Sequence, residues 1–181
     1  LAGQPVTRID LGVLSKHCEA GNWEQPGFDQ RLLTLHPAPA CSLHGQYRLS
    51  QTHIDRPEEP ATCALGVELH VPNGSAVQAP AAGTWHRHGD GRGCLRTTHW
   101  ALWLQGLENA PANGLAVEQG QSLGISCGFL SVQLCLDNCI QPPFFATPSQ
   151  AAAWLALCPS PAALLGFDCD ADPLPDPQAL L

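Results

Sequence analysis

Apolar and polar residues alternate with a period of two along several short stretches of the chain. Phe129 to Leu136 alternates strictly, with Phe129, Ser131, Gln133 and Cys135 opposite Leu130, Val132, Leu134 and Leu136, and predicts a strand. Gly66 to Val71 has Val67, Leu69 and Val71 on one strand face, with Glu68 and His70 on the other. Cys94 to Leu104 is the longest apolar run, enough for two strands. Ser75–Ala79 and Thr84–His86 are shorter candidates, and His88 to Gly93 between Thr84–His86 and Cys94 reads as a hairpin loop. Arg31 to His36 predicts another strand, ended by Pro37 and Pro39, and Gly45 to His53 alternates in part. One helix is expected, from Ser149 to Leu157. Thr147-Pro148-Ser149 opens it, alanines favour it and Cys158-Pro159 stops it, with a further short turn at Pro161–Leu165. Short strands at close spacing and one late helix predict a mainly β fold, sandwich-like or barrel-like, with a short C-terminal helix.

Composition fits that picture. The chain has 181 residues, 44% of them hydrophobic, enough for one sizeable core. Its 17 Gly and 17 Pro favour turns over long helices. A net charge of −8 with only 8 Lys plus Arg argues against nucleic acid or an anionic membrane surface as partner. No apolar stretch approaches the ~20 residues of a membrane span. The nine cysteines are odd in number, irregularly spaced and without a CxxC, so they are expected to be reduced core hydrophobes in a cytoplasmic protein, the alternative being a secreted fold with some disulfides. Cys135 and Cys139 are too far apart along a strand to join. There is no Met, the chain opens on Leu1, and Leu1 to Asp10 has no signal-peptide pattern, so a piece of a larger protein is expected.

Two kinds of chemistry are open to these residues. Glu68 and His70 share one strand face, as do His86 and His88, and with His53 or His99 they form a candidate metal site that lacks any standard ligand spacing. Cys94 or Cys127 with His99 is a candidate nucleophile and base. The plainer alternatives are loop histidines, neutral at pH 7, and packed thiols. Trp100 and Trp103 lie on opposite strand faces, so one of them, with Gln133, is a candidate for lining a cleft; core packing is the competing role.

Two segments form a pair: Val71 to Gly83, with Gly74, Val77, Ala79 and Pro80, and Leu115 to Gly124, with Val117, Gly120 and Leu123. They resemble the duplicated hybrid motif of biotinyl/lipoyl carriers and LytM-type (M23) peptidases. A carrier needs a lysine at a hairpin tip, and the only lysine is Lys16, outside the motif. Leu65 to Leu69 resembles the strand that opens a LytM domain, Trp100 to Leu107 the strand ending in the family's tyrosine-glycine-histidine-leucine, and Phe129 to Leu134 its last core strand. The likeness covers residues 43–166. From Pro148 to Gly166 it extends to the LytM-like domains of bacterial fusion proteins, where the domain sits between an aminoglycoside-phosphotransferase-like kinase and a class III aminotransferase. The resemblance implies residues 1–42 as an N-terminal extension with partly ordered strands and 43–145 as the LytM-like β domain. Residues 146–167 become a helical tail packed on it, and 168–181 an acidic, Pro-rich linker.

An active LytM domain holds zinc through a His, an Asp four residues later and the second His of a late His-x-His, leaving an open position for water. The resemblance puts these ligand positions at Ala64, Glu68 and Ser131. The catalytic His positions fall at Phe129 and Gly106, and no histidine follows His99 in the chain. Binding worth on the order of 10 kcal/mol comes from several donors acting together, and one carboxylate does not supply it. The expectation is a catalytically inactive domain with no cofactor, serving as a structural, interaction or ligand-binding module. Its partners would be neighbouring domains or another protein, or a peptide or cell-wall-like ligand. The alternative is a metal-dependent hydrolase with zinc relocated to Glu68, His70, His86 and His88.

Overall fold

The structure, a computed structural model, describes residues 5–52, 57–136 and 141–172. His53, Cys139 and the tail beyond Asp172 lie outside the described residues, and with them the parts of the metal-site, cysteine and linker expectations that rest on them. Eleven strands are described among these residues: β1 (Thr7–Ile9), β2 (Ala40–Ser42), β3 (Cys63–Ala64), β4 (Val67–His70), β5 (Ala76–Gln78), β6 (Gly83–Arg87), β7 (Gly93–Arg96), β8 (Trp100–Glu108), β9 (Leu115–Val117), β10 (Ser122–Leu136) and β11 (Phe145–Ala146). Three α-helices accompany them: α1 (Phe28–Thr34), α2 (Ala151–Leu157) and α3 (Ala162–Leu165). The fold is mainly β with short helices near its C-terminal end, as the alternation predicted.

Nine strands form one sheet in the order β1-β2-β4-β10-β8-β7-β6-β9, with β5 beside the first part of β10; β3 and β11 form a separate ladder. β10 is the spine. Its later residues pair with β4 on one edge and β8 on the other, while Ser122–Ile125 pair with β5. Register shifts between Ser126 and Ser131 mark a bend in the strand.

The alternation assigns the two faces. Val67, Leu69, Trp85, Leu95, Leu102, Leu104, Val117, Leu130 and Val132 join one buried cluster. β4 and β9 stand several strand positions apart, more than 20 Å in a flat sheet at roughly 4.8 Å per strand, yet Val67 and Val117 share this core. The sheet therefore coils around it, as strand twist requires. On the opposite face Trp103, Cys94, Ala101 and Cys135 pack under α2 with Cys63, Leu65, Ala151 and Cys158. Trp85 and Trp103 are both almost fully buried, one on each face.

The expected strand over Arg31–His36 is instead part of α1. Leu33 and Leu35 suggested alternation, but Phe28, Leu32 and Leu33 form a helical stripe that packs with Ile9, Leu11 and Ala40, and Leu35 is left 74% exposed. Gly45 onward is likewise no ladder strand. Tyr47 makes an isolated bridge to Cys63, and the chain then tightens into a 3-10 turn at Leu49–Gln51. The β1 edge is tied to the C-terminal part of the described chain. Arg8 pairs with Asp168 and Asp172 and donates to the Asp170 carbonyl, and His44 bridges to Asp170.

Candidate functional site

Glu68 and Ser131 are register partners on β4 and β10, and Phe129 pairs with His70 one step along. All four are on the sheet face away from the main core. Ala64, on β3, pairs with Phe145 of β11. The positions that the resemblance assigns to the zinc ligands therefore cluster around adjoining strands.

Beside Glu68 lies an arginine that sequence reasoning missed. Arg48 has no exposed surface. Its Nη1 donates to Glu68 Oε2 and to Asp29 Oδ2, the latter at 3.0 Å, and its Nη2 donates to Ser42 Oγ at 2.7 Å. The guanidinium carbon stands 5.2 Å from the centre of the Phe145 ring. Ser42 Oγ also accepts from the Glu68 backbone N–H, and Ser50 Oγ donates to Asp29. α1 supplies Asp29, β2 supplies Ser42 and β4 supplies Glu68, so three elements converge on one cation. Burial alone would push the Arg48 guanidinium down, but Glu68 and Asp29 outweigh it and hold it charged. The only trace of this in the sequence is a single Arg in the part-alternating Gly45–His53 stretch. Asp29 lay in a segment without a clear pattern.

This arrangement does not fit a hydrolytic zinc. Ala64 offers a methyl group, Phe129 an aromatic ring stacked 5.2 Å from His70, and the one carboxylate, Glu68, already serves Arg48. Gly106 sits at φ +92°, and a Cβ there would lie 2.0 Å from the Phe129 carbonyl oxygen. No histidine fits that backbone.

The four residues of the relocated metal site are not brought together. His86 and His88 belong to β6 and its loop, and Glu68 and His70 to β4, four strand spacings away, roughly 19 Å along the sheet. Among the described residues, no three His, Cys, Asp or Glu side chains converge to hold a metal ion. The His88 ring lies tilted at 45° against Trp103, 4.5 Å between ring centres, and its Nδ1 meets Gln141 Nε2 at 3.2 Å. Arg92 covers Trp103 from another side at 4.9 Å. Trp103 and Gln133 are thus buried rather than lining an open cleft, with Gln133 Nε2 donating to the Pro143 carbonyl at 2.8 Å. Trp100 is half-buried against the main core.

The cysteine and base pairing is not assembled either. Cys94 is fully buried between its register partners His86 and Trp103, and burial pushes its thiol up to about 11. His99 is exposed in the turn between β7 and β8. Cys127 is exposed, with its Sγ 3.7 Å from the Phe129 carbonyl oxygen.

No protein-family model matches the chain, and no curated protein does. Solved structures do. The catalytic domain of the antimicrobial peptidase lysostaphin from Staphylococcus simulans is similar at 20% identity and a TM-score of 0.40, over 49% of this chain and 77% of that one. LytU is similar at 16% identity and a TM-score of 0.38, over 59% of this chain and 86% of that one. A mutant catalytic domain of the prophage-encoded M23 protein EnpA from Enterococcus faecalis is similar at 15% identity and a TM-score of 0.38, over 52% of this chain and 83% of that one. Against the solution structure of lysostaphin the chain spans 50% of that chain's length.

Proposed function

We propose that the chain is a catalytically inactive LytM-like domain whose metal-binding centre has been replaced by a buried arginine, and that it serves as a structural or interaction module within a larger protein. The observation that carries this is the Arg48–Glu68 pair. Glu68 holds the position of the zinc-binding Asp, and the positive charge it meets is a guanidinium. A guanidinium satisfies carboxylates through fixed N–H donors, but it has no open coordination position and cannot acidify a water molecule as zinc does. The histidine positions filled by Ala64, Ser131, Phe129 and Gly106 support the same reading. So does the distance across the sheet between the two halves of the alternative metal site.

The partners that fit are neighbouring domains of the same chain or another protein, in a cytoplasmic setting that reduced cysteines favour. A retained peptide-binding or cell-wall-binding role is weaker, because Trp103 and Gln133 are already covered.

Metal analysis of the purified protein, with and without added zinc, tests the proposal. The expected result is no stoichiometric metal, no change in Tm on adding a chelator, and no cleavage of a glycine-rich peptide. Stoichiometric zinc lost in Glu68→Ala, together with peptide cleavage, would overturn it.

A further inference from the structure

Beneath α2, two thiols from distant parts of the chain meet. Cys135, near the end of β10, and Cys158, which ends α2, are 23 positions apart in sequence, and their sulfurs lie 3.3 Å from each other. Both residues are fully buried. The contact is held from several sides. Gln133 Nε2 donates to the Pro143 carbonyl and approaches Cys158 Sγ at 3.6 Å, the Cys158 backbone N–H donates to Trp154 O at 2.7 Å, and the Cys158 carbonyl is 2.9 Å from His44 Nε2. A disulfide needs sulfurs near ~2.05 Å, a movement of roughly 1 Å that side-chain rotation can supply.

We propose that Cys135 and Cys158 are an oxidisable dithiol pair, and that a low-molecular-weight disulfide such as glutathione disulfide converts it into a bond that staples α2 to the sheet. One protein thiolate attacks a sulfur of glutathione disulfide and expels a glutathione thiolate. The other protein thiolate then attacks the protein-side sulfur of the mixed disulfide and expels the second. The two protein thiols lose two electrons, one glutathione disulfide becomes two glutathione molecules, and the protons of the protein thiols end on the departing thiolates. Because both sulfurs are buried, the first attack requires α2 to lift from the sheet. The rate of oxidation therefore reports how often this segment opens.

The test is to incubate the full chain with glutathione disulfide, quench with acid, alkylate and map peptides without reduction. The expected result is a cross-linked peptide pair holding Cys135 and Cys158, and a Tm raised by about 5 to 10 °C for a loop of this size. Reductant should reverse both, and Cys135→Ser and Cys158→Ser should each abolish both. Because the map is read on the unaltered protein, it stands even if a serine variant fails to fold. Both thiols remaining alkylatable, a stable glutathione adduct without the cross-link, or a preferred link from either cysteine to a different one would overturn the proposal.

Discussion

Arg48 has no contact with solvent, and two carboxylates and a serine hydroxyl surround its guanidinium. A charge in that position is tolerable only while its partners remain, and removing one side leaves the other uncompensated. Arg48→Met keeps the volume but leaves Glu68 and Asp29 facing each other without a cation, and should cost about 3–5 kcal/mol in urea unfolding. An unchanged midpoint would show that the network carries no weight. At Gly106, replacement by His would supply the central-strand histidine that the resemblance expects, but in name only. The Cβ would meet the Phe129 carbonyl in a backbone conformation that favours glycine. Gly106→His should therefore lower Tm sharply and bind no zinc, both readable on the same purified sample. His88 bears on pH. Burial pushes its imidazole below the ordinary value, Asp90 opposes this, and Arg92, His86 and Arg96 add to it. The unfolded chain takes up a proton as pH falls through about 6.5, while the folded one resists. The contribution is thus complete above that value and is lost as pH falls toward the folded value. The Tm of His88→Gln should fall less between about pH 7.5 and 5.5 than that of the parent, and parallel curves would refute this.

At the scale of elements, the parts legible in the sequence are those whose burial has a period the eye can follow. β4 and the second half of β10 read correctly because their apolar and polar side chains alternate, and β8 because its unbroken apolar run is packed on both faces. The hairpin around His88–Gly93 and the helix ending at Cys158 were also legible, through turn residues and caps. α1 was not. Read from Arg31 onward, Leu33 and Leu35 pass for alternation, and nothing local announces that packing will select the helical stripe of Phe28, Leu32 and Leu33. The positions that the resemblance assigns to zinc come from motif order alone. Arg48 could not be found that way, because its role depends on three elements meeting, and no spacing along the chain encodes that. α1 should prove indispensable for holding Asp29 in place: Leu33 is fully buried, and Leu33→Ala should cost about 2–5 kcal/mol in denaturant unfolding. A loss well below that range would mean α1 is a loose appendage.

For the molecule as a whole, the coiled sheet presents two packed faces, the main core on one side and the cluster under α2 on the other. Among the described residues no helix is long and apolar enough to cross a membrane. The latch at the β1 edge has a consequence for topology. Arg8 grips Asp168 and Asp172, so its side chain pins β1 to residues 168–172 at one edge of the sheet. An early strand and a late segment that meet in this way close a long circuit of chain, so loosening either one unties the other.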